Sequence, residues 1–123
     1  MTTKRLLVVD DELEFGEIVR RVAVDLGYDV RVVDSGRALQ DSYADFQPTT
    51  ILLDMVIPDF DGNELLLWLL QQGYTADLII TTGFSPDYAS NAKRLAEFNG
   101  LRSVSTLTKP ASLSQLRAVL SNG

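Results

Sequence analysis

Residues 51–62 read ILLDMVIPDFDG. An unbroken apolar run, Ile51 to Leu53, stops at Asp54, and Pro58 and Gly62 follow as turn formers. Residues 6–12, LLVVDDE, repeat the arrangement, with Leu6 to Val9 ending at Asp10 and Asp11. Short continuous apolar runs without polar alternation are how strands buried on both faces of a parallel sheet read. Two buried strands therefore end in acid, and the rest of the chain must explain why.

Working outward, Phe15, Ile18, Val19, Val22 and Leu26 recur at helical spacing after the first run, and Gly27 closes that helix. YDVRVV at 28–33 is a second strand, and Asp34 and Ser35 precede a short helix with Ala38, Leu39 and Tyr43 that runs out before Pro48. Thr49 to Leu53 is the third strand, and NELLLWLLQQG, from Asn63 to Gly73, is a third helix, apolar nearly all round. Leu78 to Thr81 is the fourth strand. Ser85 and Pro86 suit the N-cap and first turn of a helix carrying Tyr88, Ala92, Leu95, Ala96 and Phe98, which Gly100 ends. Ser103 to Leu107 is a fifth, weaker strand. Ser112, with Gln115 three residues later, makes a capping box for a last helix through Leu120. Strands alternating with helices predict an α/β fold, with parallel strands joined by right-handed crossovers and helices on both faces. One domain over 1–123 is expected.

Composition agrees and excludes much else. The 123 residues are 46 % apolar and 23 % charged, enough for one core. No apolar run approaches the roughly 20 residues of a membrane span, and no signal-peptide core is visible, so a cytoplasmic protein is expected. Without cysteine or histidine the chain has no thiol chemistry and lacks the commonest general base and transition-metal ligand. A net charge of −6, with the basic residues scattered, argues against a nucleic-acid surface.

In an open parallel α/β sheet the ligand crevice lies beyond the carboxyl ends of the strands. Asp10, Asp11 and Asp54 fall at such ends, and carboxylates so placed repel one another unless a cation holds them. An oxygen cluster without His or Cys suits Mg²⁺. The fourth strand ends in Thr81, Thr82 and Gly83, and the fifth in Lys109 and Pro110. Singly, each is explained as a helix cap, a strand residue or a solvated cation. Together they supply a carboxylate nucleophile, a metal site, a hydroxyl and an ammonium, which is what a phosphoryl group transferring onto an aspartate requires.

The ordered set VVDDE, LLDMVIPDFDG, TTG and KP resembles the receiver domains of two-component response regulators over the whole chain. The resemblance implies a flavodoxin-like (βα)5 doubly wound sheet of order 2-1-3-4-5 with Asp54 as phosphoacceptor. It implies Mg²⁺ bound directly by Asp11, Asp54 and the backbone carbonyl of Val56, with Asp10 acting through water. Thr82 and Lys109 would contact phosphoryl oxygens. The donor would be a phosphohistidine on a histidine kinase or phosphotransfer protein, and the chain would phosphorylate and dephosphorylate itself to control an output domain or partner protein. Direct nucleic-acid or membrane binding is not implied.

Four features qualify the resemblance. Thr106 stands three before Lys109, where receivers usually carry an aromatic, so the signal is expected to leave through Thr82 and the fourth helix. That helix is long, similar to receivers attached to cyclic-di-GMP phosphodiesterase domains. Val56 and Phe84, two residues beyond Asp54 and Thr82, are apolar and cannot orient an attacking water, which predicts a long-lived phosphoryl group. Leu65 to Leu70 surround the third helix axis, predicting an outward apolar face for a partner or a homodimer.

Rival readings fare worse. A haloacid dehalogenase-type phosphatase needs a second Asp two residues after its nucleophile, and here that residue is Val56. Flavodoxin would set its flavin phosphate against DDELEFG, which would repel it. A degenerate receiver acting only as an interaction domain is disfavoured because all the site residues are present. DFDGNE at 59–64 lacks the glycine spacing and terminal Glu of an EF-hand loop.

Overall fold

A computed structural model describes residues 3–83 and 86–121. Phe84 and the expected N-cap Ser85 lie outside the described residues, as does the side chain of Tyr88. The order is β1 (Lys4–Val9), α1 (Leu13–Asp25), β2 (Tyr28–Val33), α2 (Gly36–Phe46), β3 (Thr50–Asp54), α3 (Gly62–Gln71), β4 (Asp77–Thr82), α4 (Pro86–Phe98), β5 (Ser103–Thr108) and α5 (Leu113–Ser121). All strand pairs are parallel, and the sheet order is β2-β1-β3-β4-β5. This is the flavodoxin-like arrangement expected.

Alternation along each strand divides the core in two. Leu6, Val8, Leu52 and Ile79 meet Val19, Val22 and Ala23 of α1 and Leu116 and Leu120 of α5. Leu7, Val9, Ile51, Leu53 and Ile80 point the other way, onto Leu39 of α2, Leu65, Leu66 and Leu69 of α3, and the alanines 89, 92 and 96 of α4. Every residue of β3 and β4 is buried, which is why their sequences run apolar without alternation.

Local chemistry sets most boundaries. Gly27 takes φ 93° after α1, a conformation glycine adopts without steric cost. The Ser35 Oγ accepts the Ala38 amide at 3.1 Å, and the Ser112–Gln115 capping box is formed in both directions, at 2.8 and 3.1 Å. The end of α2 is different: Gln47, not a glycine, is left-handed at φ 51°, and its carbonyl accepts the Arg5 guanidinium at 2.7 Å.

Three expectations are corrected. Strands β3 and β4 each run one residue further, so Asp54 and Thr82 are the last strand residues rather than the first of the loops. Of Leu65 to Leu70 only Leu67 is largely exposed; Trp68 packs edge-on against Tyr43 and Leu70 against the core, so no broad apolar face remains on α3. Phe98 is 90 % exposed. It lies two positions after buried Ala96, about 200° round a helix, and so belongs to the opposite face.

Candidate functional site at the carboxyl ends of the strands

Parallel strands of matched register bring their carboxyl ends to one edge. Val9 is level with Leu53, Asp54 with Thr81, and Thr82 with Thr108. Residues distant in sequence therefore meet: Asp10 just past β1, Asp54 and Thr82 ending β3 and β4, and Lys109 just past β5. Lys109 is fixed through its backbone, its amide donating to the Thr82 carbonyl at 2.9 Å. The Lys109–Pro110 peptide is cis.

The ammonium of Lys109 is the hub. Nζ lies 2.7 Å from Asp10 Oδ2, 2.9 Å from Glu12 Oε1 and 3.1 Å from Asp54 Oδ2. Burial acts to lower the Lys109 pKa, but the close contacts to Asp10 and Glu12 and the field of Asp54 outweigh it and hold the ammonium above its ordinary value. Asp54, almost wholly buried, also accepts the Val56 amide on Oδ1 at 3.0 Å.

Asp10 is fully buried. Its Oδ1 accepts the Glu12 amide at 2.9 Å, while Oδ2, close as it is to the ammonium, makes no hydrogen bond of good geometry among the described residues. Desolvation raises its pKa above the usual carboxylate range, the adjacent Lys109 ammonium and the Glu12 amide bond pull it back, and the charge of Asp54 raises it further. One ammonium thus serves three carboxylates, and a buried oxygen lacks a directed donor.

That is the condition a hard cation relieves. The oxygens of Asp10, Glu12 and Asp54 lie within 4.8 Å of one another, and an all-oxygen set without His or Cys fits Mg²⁺. Asp11 is exposed and stands outside this group, on the wall of an open cavity of about 640 Å³ together with Glu12, Asp54, Val56, Gly83 and Lys109. Val56 is half-exposed at the rim and bridges to Asp61. Thr82 is buried at the end of β4. Two participants were not singled out in the sequence. Glu12 was visible as the third acid of DDE. Phe15, whose ring lies 4.8 Å from Lys109 Nζ, was hidden because it also fits the apolar stripe of α1.

The loop after Asp54 is braced against α2. Asp59 accepts the Gly36 and Arg37 amides at 2.9 and 3.0 Å, and the Gly36 bond in particular holds its carboxyl below the usual range. Gly36 must lack a side chain, since a Cβ would lie 2.4 Å from the Phe60 ring. At Gly62 a Cβ would meet the Met55 Cα at 2.7 Å. The loop after Asp54 is thereby braced against α2 and packed tightly where Gly62 meets Met55.

Comparison with known proteins places this geometry. The family model described as response regulator receiver domain matches residues 6–121. The transcriptional regulatory protein TrcR of Mycobacterium tuberculosis is 31 % identical over 119 residues, covering 94 % of this chain and 43 % of that protein. Response regulator MprA of Mycolicibacterium vanbaalenii is 33 % identical over 78 residues, 63 % of this chain and 34 % of the relative. The chain thus spans less than half the length of these relatives. A response regulator from Colwellia psychrerythraea superposes with a TM-score of 0.81 at 26 % identity, covering 98 % of this chain and 96 % of that one. A CheY-like receiver domain protein from Methanospirillum hungatei gives 0.80 at 20 % identity, over 98 % and 93 %, and attests the fold alone. With the family's ordered motifs drawn to one edge of a sheet of order 2-1-3-4-5, the chain belongs to the response regulator receiver domains of two-component signalling.

Proposed function

We propose that the chain is a phosphorylation-dependent receiver in which Asp54 takes a phosphoryl group from a partner's phosphohistidine. An Asp54 carboxylate oxygen attacks phosphorus, the phosphorus–nitrogen bond breaks, and its electron pair goes to the imidazole nitrogen. The chain has no histidine, so the donor belongs to a histidine kinase or histidine phosphotransfer protein. Water later attacks the acyl phosphate, returning the carboxylate and releasing inorganic phosphate.

The observation that carries this reading is the Lys109 ammonium, 3.1 Å from Asp54 and anchored at 2.7 Å to buried Asp10. A fixed cation beside a carboxylate nucleophile offsets charge on the transferring phosphoryl oxygens. Asp11, Asp54 and the Val56 carbonyl would hold Mg²⁺ directly, with Asp10 acting through water. The ion would supply further charge neutralisation at those oxygens. The Thr82 hydroxyl would donate to another. An output domain or separate protein receives the signal. A cytoplasmic location goes with this reading, and among the described residues no helix is long and apolar enough to cross a membrane.

Incubation with Mg²⁺ and acetyl phosphate should add one phosphoryl group by intact mass, and Asp54→Asn should abolish it. Full labelling of that variant would end the proposal.

A further inference from the structure

Glu12 stands at the N-cap of α1, where Ser, Thr, Asp or Asn ordinarily accepts a helix amide, yet its side chain caps nothing. Its carboxylate turns instead to Lys109, 97 positions away in sequence, at 2.9 Å. Three residues on, the Phe15 ring lies 4.8 Å from the same ammonium, close enough for a cation–π attraction. The first turn of α1 therefore presents Lys109 with both an anion and an aromatic face, in place of a better helix cap.

The ammonium lies 2.7 to 3.1 Å from the oxygens of Asp10, Glu12 and Asp54. A divalent cation held by Asp11, Asp54 and the Val56 carbonyl, with Asp10 acting through water, would draw on the same Asp10 and Asp54 carboxylates. The ion repels the like-charged ammonium and weakens its hold on both. Asp10 is buried and cannot follow, whereas the Glu12 side chain is 65 % exposed and can. A lysine released from every partner would recover the rotamer freedom of its long stem and be lost to the reaction.

We propose that Glu12, with the Phe15 ring beside it, is a positioning residue that retains Lys109 at the rim of the acceptor site when a divalent cation is held beside Asp10 and Asp54. The inference rests on the phosphoacceptor reading above. It distinguishes Glu12 from a cation ligand: a ligand would leave the lysine for the cation, and a retaining anion stays with the lysine.

The test reads the lysine ammonium groups directly by nitrogen-15 NMR in the intact chain. There are three lysines, so Lys4 and Lys93 serve as references. Because Glu12 makes no cap bond, Glu12→Gln should fold, and its amide spectrum checks that. In the wild-type protein the Lys109 ammonium should exchange with water more slowly than the references, both with a chelator and at saturating Mg²⁺. In Glu12→Gln at saturating Mg²⁺ it should exchange roughly three- to tenfold faster than in wild type, the loss of one charge-assisted bond to a partly solvated partner. Phe15→Leu should give a smaller increase. Unchanged exchange in Glu12→Gln overturns the inference, as does wild-type Lys109 losing its protection when Mg²⁺ saturates. If Mg²⁺ changes nothing in the wild-type spectrum, the phosphoacceptor reading fails as well; if Mg²⁺ binds and Lys109 ignores Glu12, the inference alone fails.

Discussion

The two ends of the sheet each bury an aspartate at a strand terminus, and they treat it differently. At the amino end Asp77 opens β4, and the Arg102 guanidinium grips both its oxygens, at 2.9 and 2.6 Å. The Tyr74 hydroxyl donates to the Asp77 carbonyl, and burial first, then the Asp77 charge, pushes the Tyr74 pKa up. The Tyr28 hydroxyl ties the same region to the Leu120 carbonyl at 2.6 Å. At the carboxyl end, by contrast, three carboxylates share Lys109, and among the described residues the buried Asp10 Oδ2 has that ammonium at 2.7 Å but no hydrogen bond of good geometry. An acid matched by a bidentate guanidinium holds the fold together. An acid left short of partners weakens the fold and keeps its binding capacity for something that arrives later.

The largest effect expected from this contrast is on chemistry. Lys109→Ala should slow phosphorylation of Asp54 by acetyl phosphate about a hundredfold, the usual loss for one charge-stabilising group, as measured by quenched time courses of intact mass. A rate within threefold of wild type would mean that the crowded end is not organised for phosphoryl transfer.

Next come paired neutralisations. Asp77→Asn should destabilise the fold by about 1–3 kcal/mol, since it weakens a charged bidentate contact at a buried site. Asp10→Asn, in a chelator, should instead raise stability by on the order of 1 kcal/mol, because it removes a buried charge that has too few partners. Urea unfolding of both variants provides the measurement, and losses of equal size would erase the distinction between the ends.

The gain at Asp10 should depend on pH. Its folded pKa lies above the ordinary 3.8, mainly through burial. The folded chain therefore binds more protons than the unfolded chain in the window above 3.8. Its contribution to stability is complete below that pH and is lost as pH rises through the raised value. The advantage of Asp10→Asn over wild type should accordingly be close to nil below about pH 4 and grow above it. Unfolding at stepped pH without divalent cations reads this difference, and an advantage that shrinks with rising pH would refute it.

The smallest effect concerns the rim. Val56 is 51 % exposed beside Asp54 and offers no side-chain hydrogen bond to a water. Val56→Asn should shorten the phosphoryl lifetime severalfold by orienting the attacking water, followed as loss of the phosphorylated mass. An unchanged lifetime would place control of hydrolysis elsewhere in the site.

Much of this was legible in residue order. The runs Leu6–Val9 and Ile51–Leu53, the stripe of α1, Gly27 and the Ser112–Gln115 box each state a local preference that neighbours in sequence suffice to express. The strand-end position of Asp10, Asp54, Thr82 and Lys109 followed, since an acid or a cation after a buried strand can lie only at the sheet's edge. Phe98 and α3 were misread because whole-helix apolarity does not say which face a neighbour covers; Trp68 is taken up by Tyr43, and Leu67 is not covered.

The sequence by itself determined the alternation of strands and helices, the carboxyl-edge crevice and the chemical types gathered there, because period, capping and charge are local properties of the chain. Only the tertiary structure decided who meets whom. Glu12 could have capped α1 and instead holds a lysine 97 residues on; Asp59 could have been solvated and instead caps α2; Asp11 lies on the cavity wall while Asp10 is buried. Those choices depend on strand register and on which helix lies over which strand end, and no segment carries that information until the whole sheet is assembled.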